Sequence, residues 1–132
     1  MPDVFPDPRV STRTLLEAAK AARWPTATIG NTVPAAGITV PHIQYAWDGS
    51  PSEQVNRQIT TMRFTCWGPR LNGATVAVDL AQLVRAVLIE AGSSAVWRYR
   101  RGPGPVPGTD QALELPFATF TLTAETRPTR VA

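Results

Sequence analysis

RQITTMRFTCW, residues 57–67, runs through GPRLNG (68–73) into ATVAVDLAQLVRAVLIEA (74–91). In the first segment Met62, Phe64 and Cys66 alternate with Thr61, Arg63 and Thr65, the period-2 signature of a half-buried antiparallel strand. Gly68-Pro69 and Asn72-Gly73 then break the chain. From Ala74 the spacing changes: Ala77, Leu80, Ala81, Val84, Val87 and Leu88 form one helical stripe, with Asp79, Gln82, Arg85 and Glu90 on the opposite side. Gly92 is a suitable helix terminator. This strand-turn-helix unit carries no reactive group, so the sequence predicts that it builds a core and does no chemistry.

Upstream, Asp7-Pro8 opens a helix, the carboxylate accepting a free N–H and the proline fitting the first turn. Leu15, Leu16, Ala19 and Ala22 continue it at helical spacing until Trp24-Pro25. Residues 26–30 read as a short β-branched strand. After a loop at Pro34 to Gly37, Ile43, Tyr45 and Trp47 share one face of a strand that starts or edges at Pro41 and ends in the turn Asp48-Gly49-Ser50-Pro51. Downstream, residues 96–101 alternate Trp97 and Tyr99 with Arg98 and Arg100. Residues 102–110, rich in proline and glycine, read as a loop that is mobile or ordered by a partner. Ala118, Phe120, Leu122 and Ala124 then alternate with Thr119, Thr121, Thr123 and Glu125. The predicted order is α-β-β-β-α-β-β. It implies an α+β fold, with an antiparallel or mixed sheet of four to five strands and two helices on one face. One domain is expected over residues 1–132, with loose ends at 1–6 and 128–132.

Composition narrows the function. The chain has 132 residues and 13 prolines, about twice the usual share, which favours extended arms. No apolar run approaches the roughly 20 residues of a membrane span, and Met1-Pro2-Asp3 lacks the features of a signal peptide. Synthesis in the cytoplasm, away from any membrane, is the expectation. A single cysteine excludes an internal disulfide and a thiolate metal cluster. The net charge of +3 combines 12 arginines and Lys20 with 10 acids. Between Glu90 and Asp110 there is no acid, so Arg98, Arg100 and Arg101 create a local positive field.

Catalytic signatures are missing. His42 and Cys66 are the sole imidazole and thiol, and Cys66 alternates in phase with Met62 and Phe64 as a small core residue would. Gly92-Ser93-Ser94 reads as a cap and turn, lacking the Gly-x-Ser-x-Gly elbow. Gly102-Pro103-Gly104 has no following helix to cradle phosphate. Acids occur singly, without a paired or metal-binding arrangement. No enzyme, metal or cofactor is therefore expected. Trp97-Arg98-Tyr99-Arg100-Arg101 has two readings: rings that stack on bases beside arginines that meet phosphates, or buried aromatics with a solvated arginine face. In a ring of identical copies the positive strip would also be multiplied around a lumen.

Taken over nearly the whole chain, the pattern resembles the tail terminator proteins of bacteriophages with long, non-contractile tails, as found in phages of high-GC actinobacteria. The resemblance rests on the Leu/Ala-rich helix after Asp7-Pro8, the segment from Ile38 ending in Tyr45-Ala46-Trp47-Asp48-Gly49, residues 57–68 leading into Ala81 to Leu88, and the alternating strand from Pro116 to Glu125. It implies a structural virion protein, made in the host cytoplasm and placed at the tail-neck junction. There it would form a hexameric ring that caps the tail tube, halts tube polymerisation and meets the head-tail connector or neck protein, with genomic DNA passing through the lumen without sequence-specific binding. On this view Arg98, Arg100 and Arg101 border the DNA passage. Pro34, Ile38, Val40, Pro103, Pro105, Val106 and Pro107 are candidates for contacts with neighbouring subunits or the tube. A head-side neck ring protein is the alternative, followed by a single-stranded nucleic-acid binder and then by a small cytosolic enzyme.

Overall fold

Asp7 and Pro8 begin the first helix as their chemistry requires. Asp7 has an extended backbone and its Oδ1 accepts from the Arg9 backbone N–H at 2.9 Å, while Pro8 occupies the first turn. A side-chain bond from Arg9 holds the Asp7 carboxyl below its ordinary range. The computed structural model describes residues 3–5, 7–48, 51–54, 57–91 and 97–130. In chain order its elements are β1 (Asp3–Val4), α1 (Pro8–Arg23), β2 (Thr28–Gly30), β3 (His42–Trp47), β4 (Ser52–Gln54), β5 (Arg57–Trp67), α2 (Gly73–Ala91), β6 (Trp97–Arg101), β7 (Val106–Asp110), β8 (Leu115–Thr126) and β9 (Thr129–Arg130). Trp24 closes α1: its backbone N–H donates to Lys20 O at 3.0 Å and its indole Nε1 to Leu16 O at 3.2 Å. Neither helix is long and apolar enough to cross a membrane.

The predicted α+β class and helix-strand order hold. Seven strands make one mixed sheet in the order β2-β3-β5-β8-β6, with β4 added to β5 and β7 added to β8. Only β2 and β3 run parallel, with Ile29 opposite Ile43. The middle of the sheet is the long β5–β8 pair, in register from Gln58 opposite Thr126 to Trp67 opposite Phe117. Alternation sends Met62, Phe64, Cys66, Ala118, Phe120, Leu122 and Ala124 to one face, where each is buried. Leu16 and Trp24 from α1, and Ala77, Leu80, Ala81, Val84 and Leu88 from α2, complete that core. Both helices therefore lie on one face, and α1 also contacts α2. Phe64 and Phe120 stack at its centre, 5.0 Å between centroids and 13° between planes. Each large apolar side chain fully withdrawn from water contributes about 1.5–3 kcal/mol before entropy is charged against it.

The strand count exceeds the four to five expected, because the outer strands are made in two pieces. From Trp47 opposite Met62 to Ser52 opposite Ile59, four residues lie between the pairs on the outer chain and two on β5. From Arg101 opposite Leu122 to Val106 opposite Thr119 the count is again four against two. The two additional residues on each outer chain leave its later side chains on the same faces as before. Gly49, Ser50 and Gly92, on which a turn and a helix stop were predicted, lie outside the described residues.

Two expectations are corrected. The proline- and glycine-rich run 102–110 is not simply a loop, since residues 106–110 pair with residues 115–119 of β8. Its beginning is also fixed to β8. Thr121 N donates to Pro103 O at 3.0 Å, and Gly104, at φ +112, lies so close that a Cβ would come within 2.6 Å of Phe120 Cβ. Long-range pairing overrides a composition that argues locally for a turn, and Pro107 is compatible because β7 is an edge strand. Within the segments expected to be loose, 1–6 and 128–132, Asp3 lies opposite Arg130 and Val4 opposite Thr129, as a separate two-stranded sheet.

Candidate functional site

The opposite face of the sheet has a different chemistry. Thr61, Arg63 and Thr65 of β5 lie beside Thr123, Thr121 and Thr119 of β8, Arg63 exposed and the threonines partly buried, with no helix among the described residues laid over them. Hydroxyl bonds knit this layer, Thr119 Oγ1 donating to Phe64 O at 3.1 Å and lying 3.4 Å from Thr65 Oγ1. At one end Trp67 tilts against Phe117, and its Nε1 donates to Gln44 Oε1 at 3.0 Å. At the other end are the arginines.

Alternation divides the arginine trio predicted at 98, 100 and 101. Arg98 and Arg100 stand on the threonine face, where they are exposed. Arg101 shares its side with Tyr99 and lines a cleft against α2 with Arg85, Ile89 and Pro105. The first two do not stand alone. Arg98 Nε donates to Glu125 Oε2 at 2.7 Å, Arg100 Nε lies 3.0 Å from Glu125 Oε1, and Arg57 Nη1 donates to Glu125 Oε1 at 3.2 Å. Register explains the convergence, because Glu125 pairs with Arg98 on one side and Ile59 on the other, bringing β5, β6 and β8 to one carboxylate. The Glu125 side chain is 8% exposed, against 36%, 50% and 54% for Arg57, Arg98 and Arg100. Burial by itself would raise its carboxyl pKa. The Arg98 hydrogen bond and the charges of Arg100, Arg98 and Arg57 outweigh that and hold it below the ordinary range.

A pH dependence follows. A carboxyl with a depressed folded pKa contributes stability that is present above its unfolded value, about 4.5, and lost as the pH falls through the folded value. The urea midpoint of the wild-type chain should therefore fall more steeply below about pH 4.5 than that of Glu125→Gln. Parallel curves for the two proteins would remove Glu125 from acid unfolding.

The other sequence candidates are dispersed. Pro34, Ile38 and Val40 are half-buried in the β2–β3 connection, whereas Pro103, Val106 and Pro107 are exposed at the β6–β7 border and Pro105 is half-buried there. Tyr99 cannot present its ring to a base: it is 5% exposed and its hydroxyl is hydrogen-bonded to Thr12. The Trp97 side chain lies outside the described residues. Cys66 is fully buried and burial pushes its thiol pKa up. His42 pairs with Trp67, one position on, and so faces away from Cys66. Its Nε2 donates to Thr32 O at 3.1 Å, and its Nδ1 lies 2.7 Å from Thr28 Oγ1, an arrangement that ties down the β2–β3 connection. A groove of about 670 Å³ holds charges already paired with one another, Asp7 with Arg9 and Arg13 with Glu17. Glu125 as an organising centre was not foreseen. The sequence signal was an isolated acid in a threonine-alternating strand, but its partners are 68 and 27 residues away. Compared with protein-family models and with curated proteins, the chain matches none.

Proposed function

We propose that this chain is a tail terminator: a subunit of a six-membered ring that caps a phage tail tube, stops its growth and meets the neck, with genomic DNA passing through its lumen. The observation that carries the reading is the border formed by β6 and β7. Its outer side has no strand partner among the described residues, and it presents Val106, 55% exposed, between Pro103 and Pro107. The opposite border is β2, so the two free edges belong to different surfaces of one subunit. Such edges suit head-to-tail contacts, which close into a ring when the rotation between copies allows. The resemblance to tail terminators over nearly the whole chain supplies the size of the ring and the identity of the cylinder.

The test is assembly of tubes from the tail tube protein with and without this chain. Wild-type protein is expected to associate with tubes as six copies per end and to limit their length. Val106→Glu should retain the circular dichroism of the wild type but lose ring-sized mass by light scattering, because a charge is placed on an apolar border. Tubes that elongate equally with and without the wild-type chain would end the proposal. Association with purified heads but not with tubes would favour a head-side neck ring.

A further inference from the structure

The geometry points to a phosphodiester-binding site on the open face of the sheet, formed by Arg57, Arg98 and Arg100 and held in place by Glu125. One carboxylate meets three guanidiniums, of which those of Arg98 and Arg100 are half-exposed beside it. Arg98 and Arg100 reach Glu125 through Nε, and no other contact of their guanidiniums is seen among the described residues. Their terminal nitrogens thus remain for a ligand while the carboxylate limits their motion, so little side-chain freedom is lost on binding. Two positions apart on one strand, these residues are about 6.7 Å apart along the backbone, on the order of the separation of neighbouring phosphates in a nucleic-acid strand.

The surroundings favour a nucleic-acid backbone over an acidic protein. Thr123 lies opposite Arg100, and Thr61 opposite Thr123, adding hydroxyls suited to phosphate oxygens. Of the exposed large apolar residues, Val10, Val33, Leu71 and Val76 lie off the sheet, and Val106, opposite Thr119, lies four residues along β8 from Thr123 and outside the arginine cluster. A protein partner ordinarily needs an apolar centre, whereas nucleic-acid interfaces are polar and positively charged. Contacts of this kind read charge without reading sequence. Arg101 is excluded because it lies on the other side of the sheet. The inference deepens the proposed passage of DNA but does not depend on ring closure, since the site is complete within one chain.

The experiment is a fluorescence-anisotropy titration of the full chain with a short labelled DNA duplex across a series of salt concentrations. Scattering on the same samples reports ring formation separately. Arg98→Ser with Arg100→Ser should flatten the slope of log K against log salt by about 1.8, from about 0.9 for each lost phosphate contact. Because that pair of changes leaves Glu125 with a single arginine, Arg100→Gln alone is the second variant, expected to flatten the slope by about 0.9 with an unchanged circular dichroism spectrum. Arg9→Ser with Arg13→Ser, a matched loss of charge on α1, should leave the slope as in the wild type. Equal flattening by the α1 pair, or no duplex binding at low salt, would overturn the inference. So would binding of poly-glutamate, but not of the duplex, through Arg98 and Arg100, which would make the site a receptor for acidic protein.

Discussion

Replacing Phe64 with Ala is expected to destabilise the fold by about 3–5 kcal/mol, the range for deleting a fully buried aromatic ring. Phe64 is 0% exposed and stacks on Phe120, which is 1% exposed, at the β5–β8 pair that forms the middle of the sheet. The vacated space would be bounded by a helix above and paired strands beside it, which leaves little room for collapse. A domain of this size has about 5–15 kcal/mol in total, so the variant should lose a large share of its stability. Urea unfolding would show it as a lower midpoint with the slope retained. A loss under about 1 kcal/mol would mean that the stack is not the centre of the core.

Gly68→Ala should be comparably severe, by about 3 kcal/mol or more, through overlap instead of a void. A Cβ at Gly68 would lie 2.1 Å from the carbonyl oxygen of Gly73 and 2.7 Å from its carbonyl carbon. These are backbone atoms at the start of α2, so no rotamer change relieves the clash. Gly68 N also donates to Pro116 O at 3.0 Å, fixing the end of β5 to the start of β8. The turn between β5 and α2 would have to open and carry the helix away from the sheet. Thermal unfolding is the direct measure, with a Tm decrease of about 10 °C or more expected. A variant with the wild-type Tm would show that the turn has slack the atomic distances do not allow.

Much of this architecture is legible in the sequence. Alternation in 57–67 and 118–125, and helical spacing in 8–23 and 74–91, reflect burial on one side only, which acts directly on residue choice. The two-piece outer strands were less legible. Val106-Pro107-Gly108-Thr109-Asp110 has turn-forming composition and becomes β7 only because β8 extends far enough to pair with it. The arginine site was partly visible. Phase alone placed Arg98 and Arg100 on the solvated face, and it also places Arg101 with Tyr99, a distinction that treating the three as one basic cluster obscures. The part played by Glu125 depends on strand register across β5, β8 and β6, which no local pattern encodes.

The paired extra residues in the outer strands bear on how such a chain can drift in length. Parity is what protects the two sides of the sheet: residues added or removed in pairs at 48–51 or 102–105 preserve the sidedness of everything downstream, whereas a single insertion would turn the following strand inside out. Border loops of this design can vary in size by twos, reshaping what a neighbour meets without disturbing the interior.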